Sequence, residues 1–143
     1  MSMAEEKSEI NRIQDQIISE ISALDEWTDV YQYLISLGRD LEIPDEHFRK
    51  DENLISGCQS KLWLDSRLEN RKVVYSAASD TVIIMGILAL ILKVLNNREP
   101  AKIVNADLYF LEKTGLYQHL SPVRSNGLAQ VVWNIKEKAR EYT

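Results

Sequence analysis

The sequence predicts an α+β fold, in which helices pack on a small antiparallel sheet of about three strands. Four stretches repeat apolar residues every three or four positions, which is typical of helices with one buried face. Two β-prone runs lie between the second and third of these stretches. The chain has 143 residues and contains no repeat or linker, so we expect a single domain over residues 1–143.

The first two predicted helices occupy the start of the chain. Apolar residues recur at helical spacing from Ile10 to Leu24, and again from Trp27 to Leu41. Asp25 is the predicted N-cap of the second helix, because its carboxylate can accept hydrogen bonds from the free amides of the first turn. Pro44 marks the position beyond which that helix cannot continue.

The other two helices lie in the second half of the chain. The third is predicted from Ser79 or Asp80 to Asn96, and it is apolar on nearly every side, which places it in the centre of the fold. The last is predicted over residues 124–141. We expect Trp63 and Trp133 to belong to the core. The residues expected to face inward from the last helix are Leu128, Val131, Val132, Ile135 and Ala139.

The middle of the chain has the composition of a sheet. Residues 61–65 and 73–76 are rich in strand-forming residues. The polar segment 69–72 separates them, and its shortness predicts an antiparallel hairpin. We predict a third short strand around residues 53–56.

Composition and charge exclude several classes of function. The net charge is −5 and no run of basic residues is present, so we expect no nucleic-acid binding. The longest apolar run, Val82 to Leu92, is too short to cross a bilayer, so we expect no membrane association. The first ten residues are polar and do not form a signal peptide, and the single cysteine gives no sign of an oxidising compartment. The expected location is therefore the cytoplasm.

Cys58 is the only cysteine, and it follows Gly57 at the predicted entrance to a strand. A single cysteine cannot build a Cys₂His₂ or Cys₃His metal site, scaffold an iron–sulfur cluster alone or form a dithiol couple. A cysteine nucleophile with His47 or His119 as its base has no support from the surrounding sequence. A lone cysteine is equally typical of a small buried side chain. The chemistry that remains is reaction of the thiol with another molecule's sulfur.

Three segments together resemble the SufE/CsdE family of sulfur acceptors. Residues 52–64 contain Gly-Cys-Gln-Ser running into a Leu-Trp strand. Residues 79–90 match the family's apolar central helix, and residues 119–128 match its His-Leu-Ser-Pro-x-Arg segment. Together with the second helix, the matching parts extend from about Trp27 to the C-terminus.

The resemblance implies a sulfur relay rather than an enzyme acting alone. Cys58 would accept persulfide sulfur from a cysteine desulfurase, stimulate that enzyme, and pass the sulfur to an iron–sulfur scaffold or another acceptor. The pyridoxal phosphate belongs to the desulfurase, so we expect this chain to bind neither cofactor nor metal. The implied fold is that of the IscU scaffold without its cluster ligands, and the oligomeric state is open between monomer and homodimer.

The resemblance also assigns supporting roles around Cys58. Asp80 is expected to cap the central helix, with a second reading in which it holds the cysteine loop. Arg124 is either a solvated arginine at a helix start or a partner of that loop. The residues expected to support Cys58 are Gly57, Gln59, Ser60, Asp80, His119 and Arg124.

A different class of function stays open beside the sulfur relay, namely a thiol-based redox sensor in which Cys58 is oxidised to sulfenic acid. A hydrolase is disfavoured, because no set of nucleophile, base and orienting residue is evident. We also predict that Cys58 is shielded at rest. The apolar Leu54 and Ile55 should draw the loop inward, next to the central helix, with Gly57 as its hinge.

Overall fold

The computed structural model describes residues 3–41, 51–55, 61–120 and 122–143, with the side chains of 3–8, 51 and 122–125 left out. In that part of the chain, helices surround one antiparallel hairpin. The helices are α1 (Met3–Ser22), α2 (Trp27–Asp40), α3 (Val82–Leu95), α4 (Pro100–Asn105), α5 (Phe110–Lys113), α6 (Leu116–His119) and α7 (Pro122–Arg140). The strands are β1 (Leu62–Glu69) and β2 (Lys72–Ser79), preceded by a 3₁₀ turn at Asp51–Asn53.

The helical periodicity at the start of the chain is confirmed. Ile10, Ile17 and Ile21 of α1 are buried on one face, as are Val30 and Leu34 of α2. The predicted cap of α2 is wrong. Glu26, not Asp25, is the N-cap residue, and its side chain makes no capping hydrogen bond. The first turn of α2 is instead fixed by the Glu26 carbonyl, which accepts from the Asp29 and Val30 amides.

Helix α3 forms the centre of the core, as its apolar composition predicts. Nearly every side chain from Ile84 to Leu95 is buried. α2 packs against it closely, because Gly86 and Gly38 carry no side chain at the contact. A Cβ on Gly86 would collide with the carbonyl oxygen of Leu34, and one on Gly38 would lie 2.9 Å from the Met85 Cβ. The second half of α2 therefore lies beside the start of α3.

The predicted hairpin is confirmed, but the predicted number of strands is wrong. β1 and β2 pair from Leu62↔Ser79 to Glu69↔Lys72. Instead of a third strand over residues 53–56, the described part of this segment forms a 3₁₀ turn and a single bridge, Leu54↔Trp63. Two strands flanked by isolated bridges make a minimal sheet, and packing against helices stabilises it.

Helix α7 contacts the hairpin through Tyr75. The Tyr75 hydroxyl donates to the Ile135 carbonyl at 2.7 Å, deep in the core. Burial raises the pKa of this tyrosine, which therefore stays a neutral hydrogen-bond donor. The expectation that Trp133 belongs to the core is wrong, because its side chain is 58% exposed. Trp63 is partly buried, as part of a small cluster with Leu41, Ala78 and Met85.

Candidate functional site

The predicted cysteine site falls largely outside the described residues. Gly57, Cys58, Gln59 and Ser60 lie in the undescribed segment 56–60, so the prediction that Cys58 is shielded stays a prediction. The structure does describe both residues from which this segment departs, Ile55 and Lys61. The geometry of these two ends defines the base of the candidate site.

The two ends of the segment are held close together. The Ile55 amide donates to the Leu62 carbonyl at 2.8 Å, and the adjoining Leu54 bridges Trp63. Ile55 is buried, as expected, but Leu54 is 38% exposed, which corrects the expectation that both side chains turn inward. Successive side chains of an extended chain point to opposite sides, so only one of the two can enter the core.

Asp80 holds the other end of the segment. Its backbone amide donates to the Lys61 carbonyl at 3.1 Å, and its side-chain Oδ1 accepts from the Lys61 amide at 3.1 Å. This pair extends the β1–β2 ladder by one residue, with a carboxylate oxygen in place of a backbone carbonyl. Asp80 does not cap α3, because Thr81 is the N-cap residue. Asp80 thus binds Lys61 at the described end of segment 56–60, and its predicted role toward the cysteine loop itself stays a prediction.

Ser79 and Met85 also help to hold the chain at Lys61. The sequence analysis assigned neither residue to the site. The Ser79 hydroxyl donates to the Lys61 carbonyl at 2.9 Å and accepts from the Thr81 amide at 3.1 Å. The Met85 sulfur accepts from the Ser79 amide at 3.1 Å. Its position directly before Asp80 is the one feature of the sequence that could have drawn attention to Ser79. The Met85 contact could not be predicted, because it depends on how α3 packs against β2.

His119 lies elsewhere in the fold. Its ring stacks on Trp27, with the ring centroids 3.3 Å apart and the planes 17° from parallel. Trp27 begins α2, whereas Gly38, about 16 Å further along that helix at ~1.5 Å per residue, contacts Met85. The structure therefore places His119 at the far end of α2 from the start of α3, and does not bring it together with Asp80.

Arg124 belongs to the first turn of α7, two residues after Pro122 begins that helix. Its side chain lies outside the described residues, so its predicted contact with the cysteine loop stays a prediction. The beginning of the last helix close to this position agrees with the sequence prediction. A proline is favourable at the start of a helix, because a backbone amide in the first turn has no acceptor within the helix and proline has no amide hydrogen to satisfy.

The described residues lack the features of two other kinds of site. Those residues contain no group of three or more histidine, cysteine, aspartate or glutamate side chains placed to hold a metal ion. None of the helices they form is both long enough and apolar enough to cross a membrane.

Comparison with protein families gives a match over most of the chain. Residues 15–139 match the SufE family model, which is described as an Fe-S metabolism associated domain. The match includes every residue of the predicted site, and also Ile55 and Lys61 at the two ends of segment 56–60.

Related proteins show the same likeness. An uncharacterized SufE-like protein of Rhizobium meliloti is 36% identical over 130 residues, which cover 87% of this chain and 93% of that protein. A second, from Rhizobium etli, is 36% identical over 131 residues, which cover 88% of each chain.

A solved structure has a similar fold. The solution structure of a hypothetical protein from Thermus thermophilus aligns with a TM-score of 0.75, over 91% of this chain and 95% of the other. The sequence identity is 16%, so this likeness concerns the fold alone.

Proposed function

Because the chain belongs to the SufE family of Fe-S metabolism associated domains, we propose that it accepts persulfide sulfur on Cys58. The donor is a cysteine desulfurase, which this chain stimulates by removing its sulfur. The receiver is an iron–sulfur scaffold or another sulfur acceptor. The observation that carries the proposal is that the chain's only thiol lies between two anchored positions, Ile55 and Lys61.

The proposed transfer is a thiol–persulfide exchange. The Cys58 thiolate attacks the outer sulfur of the desulfurase persulfide, and a bond forms between the Cys58 Sγ and that sulfur. The bond from the outer sulfur to the desulfurase cysteine breaks, and its electron pair leaves on that cysteine as a thiolate. No net oxidation occurs. The rate depends on the thiolate fraction and accessibility of Cys58.

The absence of a second cysteine suits this chemistry. A neighbouring thiol would attack the new persulfide, form a disulfide and release the sulfur. With 143 residues and one cysteine, this chain offers no such competitor. The persulfide therefore persists until a thiol on another protein attacks it.

The proposal gives the surrounding residues supporting roles. Asp80 restrains the segment at Lys61, three residues after Cys58, through the two hydrogen bonds described above. Gly57 supplies backbone freedom for exposing the thiol, while Gln59 and Ser60 lead into the anchored end. We assign Arg124 to the cysteine loop by its family motif. His119 stacks on Trp27, away from Asp80, and its supporting role stays a prediction.

We propose that the chain works without a bound cofactor or metal, and in the cytoplasm. The pyridoxal phosphate of the pathway belongs to the desulfurase, which performs the carbon–sulfur cleavage. This chain is then an accessory carrier that forms a covalent intermediate, and it is not a free-standing enzyme.

Mass spectrometry tests the proposal against the redox-sensor alternative. After incubation with a cysteine desulfurase and cysteine, the peptide containing Cys58 should gain the mass of one sulfur atom, which dithiothreitol should then remove. A sensor would instead gain oxygen selectively from dilute peroxide, and gain no sulfur from the desulfurase. Omission of cysteine from the first reaction is the control.

A further inference from the structure

A strip of apolar side chains crosses the sheet beside the candidate site. Leu54 pairs with Trp63, and Trp63 pairs with Ala78, so these three side chains point to the same face of the sheet. Met85 of α3 packs against Trp63 and Ala78 at the end of this row. Val82 precedes Met85 by three residues and therefore lies on the same side of that helix. We call these five residues the apolar strip.

The two ends of the apolar strip are open to solvent, whereas its middle is not. Leu54 is 38% exposed and Val82 is 55% exposed, while Ala78 is buried and Trp63 is partly buried. Five large apolar side chains are exposed in the described part of the chain, and two of them are the ends of this one strip. Exposed apolar residues that are scattered singly need no explanation, but a connected set of them marks an interaction surface.

The charges around the strip indicate an apolar partner surface. The exposed charged residues Glu52, Lys61 and Asp80 each lie two residues from a member of the strip, and so project from the same side of the chain. They carry both signs, so they select neither a strongly acidic nor a strongly basic partner. The feature that is left for recognition is the apolar area itself.

The proposed chemistry decides which partner covers the strip. Thiol–persulfide exchange brings two sulfur atoms into contact, so the desulfurase covers Cys58 when it delivers sulfur. A protein interface of ordinary size buries about 800 Å² on each partner, which corresponds to a radius of about 16 Å. Leu54 is four residues from Cys58, so at most about 14 Å separates their Cα atoms. The Leu54 end of the strip therefore lies within the area that a bound desulfurase covers.

We infer that the apolar strip is a docking surface for an apolar patch beside the persulfide cysteine of the desulfurase, with Leu54 and Val82 as its main contacts. This inference rests on the proposed function and names what selects the partner. The two side chains set the affinity of the complex and take no part in the exchange of sulfur. A desulfurase with a charged surface beside its cysteine would be a poor partner for this chain.

Steady-state kinetics of a cysteine desulfurase, with this chain as the varied acceptor, tests the inference. Leu54→Glu and Val82→Glu should each raise the KM for the acceptor about tenfold, because docking would bury a charge, and should leave kcat at saturation unchanged. Leu54→Gln adds no charge and should still raise that KM about threefold. Leu68→Glu is the matched control, because Leu68 is 46% exposed and lies near the other end of β1. It should leave the KM within about twofold.

A second readout separates docking from the reactivity of Cys58. Cysteine persulfide is a small sulfur donor that needs no docking surface. It should therefore load sulfur onto the parent protein and onto the Leu54 and Val82 variants at the same rate. The variants should also fold as the parent does, since both side chains are exposed and glutamate is favourable in the first turn of α3.

Several results would overturn the docking surface while leaving sulfur transfer to Cys58 intact. These are an unchanged KM in both glutamate variants, an equal rise in KM for Leu68→Glu, and a rise for Leu54→Glu with none for Leu54→Gln. Slower loading from cysteine persulfide in the Leu54 or Val82 variants would also overturn it, because the substitutions would then act on the thiol. If the desulfurase transfers no sulfur even to the parent protein, the proposed function fails, and this inference fails with it.

Discussion

Asp80 is one of the residues that fix the described ends of segment 56–60, and it does so with two hydrogen bonds. One residue supplies both a donor, its backbone amide, and an acceptor, its carboxylate, to Lys61. The carboxylate takes the place of a backbone carbonyl because the chain turns away into α3 at this point. The family motif identified Asp80 from the sequence. Its hydrogen-bond partner, Lys61, could not be predicted, because the two residues lie 19 positions apart in the chain.

Removing the Asp80 carboxylate should expose Cys58. Asp80→Ala leaves the Lys61 amide without its acceptor, at a cost of about 1 kcal/mol, so opening of the segment should increase about fivefold. Iodoacetamide should then label Cys58 several times faster than in the parent protein. Asp80→Asn keeps the acceptor oxygen while removing the charge, and should label at the parent rate. Equal rates in all three proteins would show that Asp80 does not restrain the thiol.

The conformation of the β1–β2 turn is set by the two residues at its centre. Asn70 and Arg71 both have positive φ, 51° and 66°, and they connect the closing pair Glu69↔Lys72. Positive φ at both positions is typical of the type I′ turn, which matches the twist of the strands. Asparagine tolerates this conformation, whereas arginine adopts it at a cost.

Arg71→Gly should therefore stabilise the protein. Glycine relieves the strain at positive φ, and part of that gain is offset by its greater freedom in the unfolded chain, so we expect about 0.5–1 kcal/mol in the free energy of unfolding. Urea denaturation measures the difference. Arg71→Ala is the control, since it also removes the arginine side chain but keeps the Cβ. A glycine variant no more stable than the alanine variant would contradict the role of the turn.

Helical periodicity predicted the four long helices, α1, α2, α3 and α7, and most of their buried faces, but not the short helices α4, α5 and α6. Its failures within the long helices have local causes. Trp133 follows Val131 by two residues and precedes Ile135 by two, which places it about 200° around α7 from both. It therefore faces away from the core, although its size favours burial. The supposed third strand reduces to one bridge because Leu54 pairs with Trp63 directly after a 3₁₀ turn.

Across the whole molecule, buried polar contacts tie the first helix to the rest of the fold. Gln14 is fully buried. Its Nε2 donates to the Asp107 carbonyl at 2.9 Å, and its Oε1 accepts from the Phe110 amide at 3.2 Å. These contacts join residues more than 90 positions apart. Periodicity therefore predicted which face of α1 is buried, but it could not reveal that Gln14 on this face binds residues late in the chain.

Replacement of Gln14 by leucine should weaken folding. The volume is nearly kept, but the Phe110 amide loses its acceptor in the core, at a cost of about 1–3 kcal/mol. Thermal and urea denaturation should both report the loss. Gln16→Leu is the matched control, because Gln16 lies on the exposed face of α1 and donates to Glu20 in a solvent-exposed hydrogen bond. If the two variants lost stability equally, the buried amide would not be what positions α1.

The family and the general fold could thus be predicted from three sequence segments and the periodicity of the helices. The hydrogen bonds that hold the two ends of segment 56–60 could not be predicted, because they depend on contacts between the ends of the strands and the start of α3.

Sulfur transfer to the Cys58→Ser variant is the most direct measurement of the proposed function. Serine is nearly isosteric with cysteine, so the variant should fold as the parent does. A cysteine desulfurase should be stimulated by the parent protein and not by the variant, and ³⁵S from labelled cysteine should appear only on the parent. Full stimulation by the serine variant, or label on both proteins, would contradict the assignment of Cys58 as the sulfur acceptor.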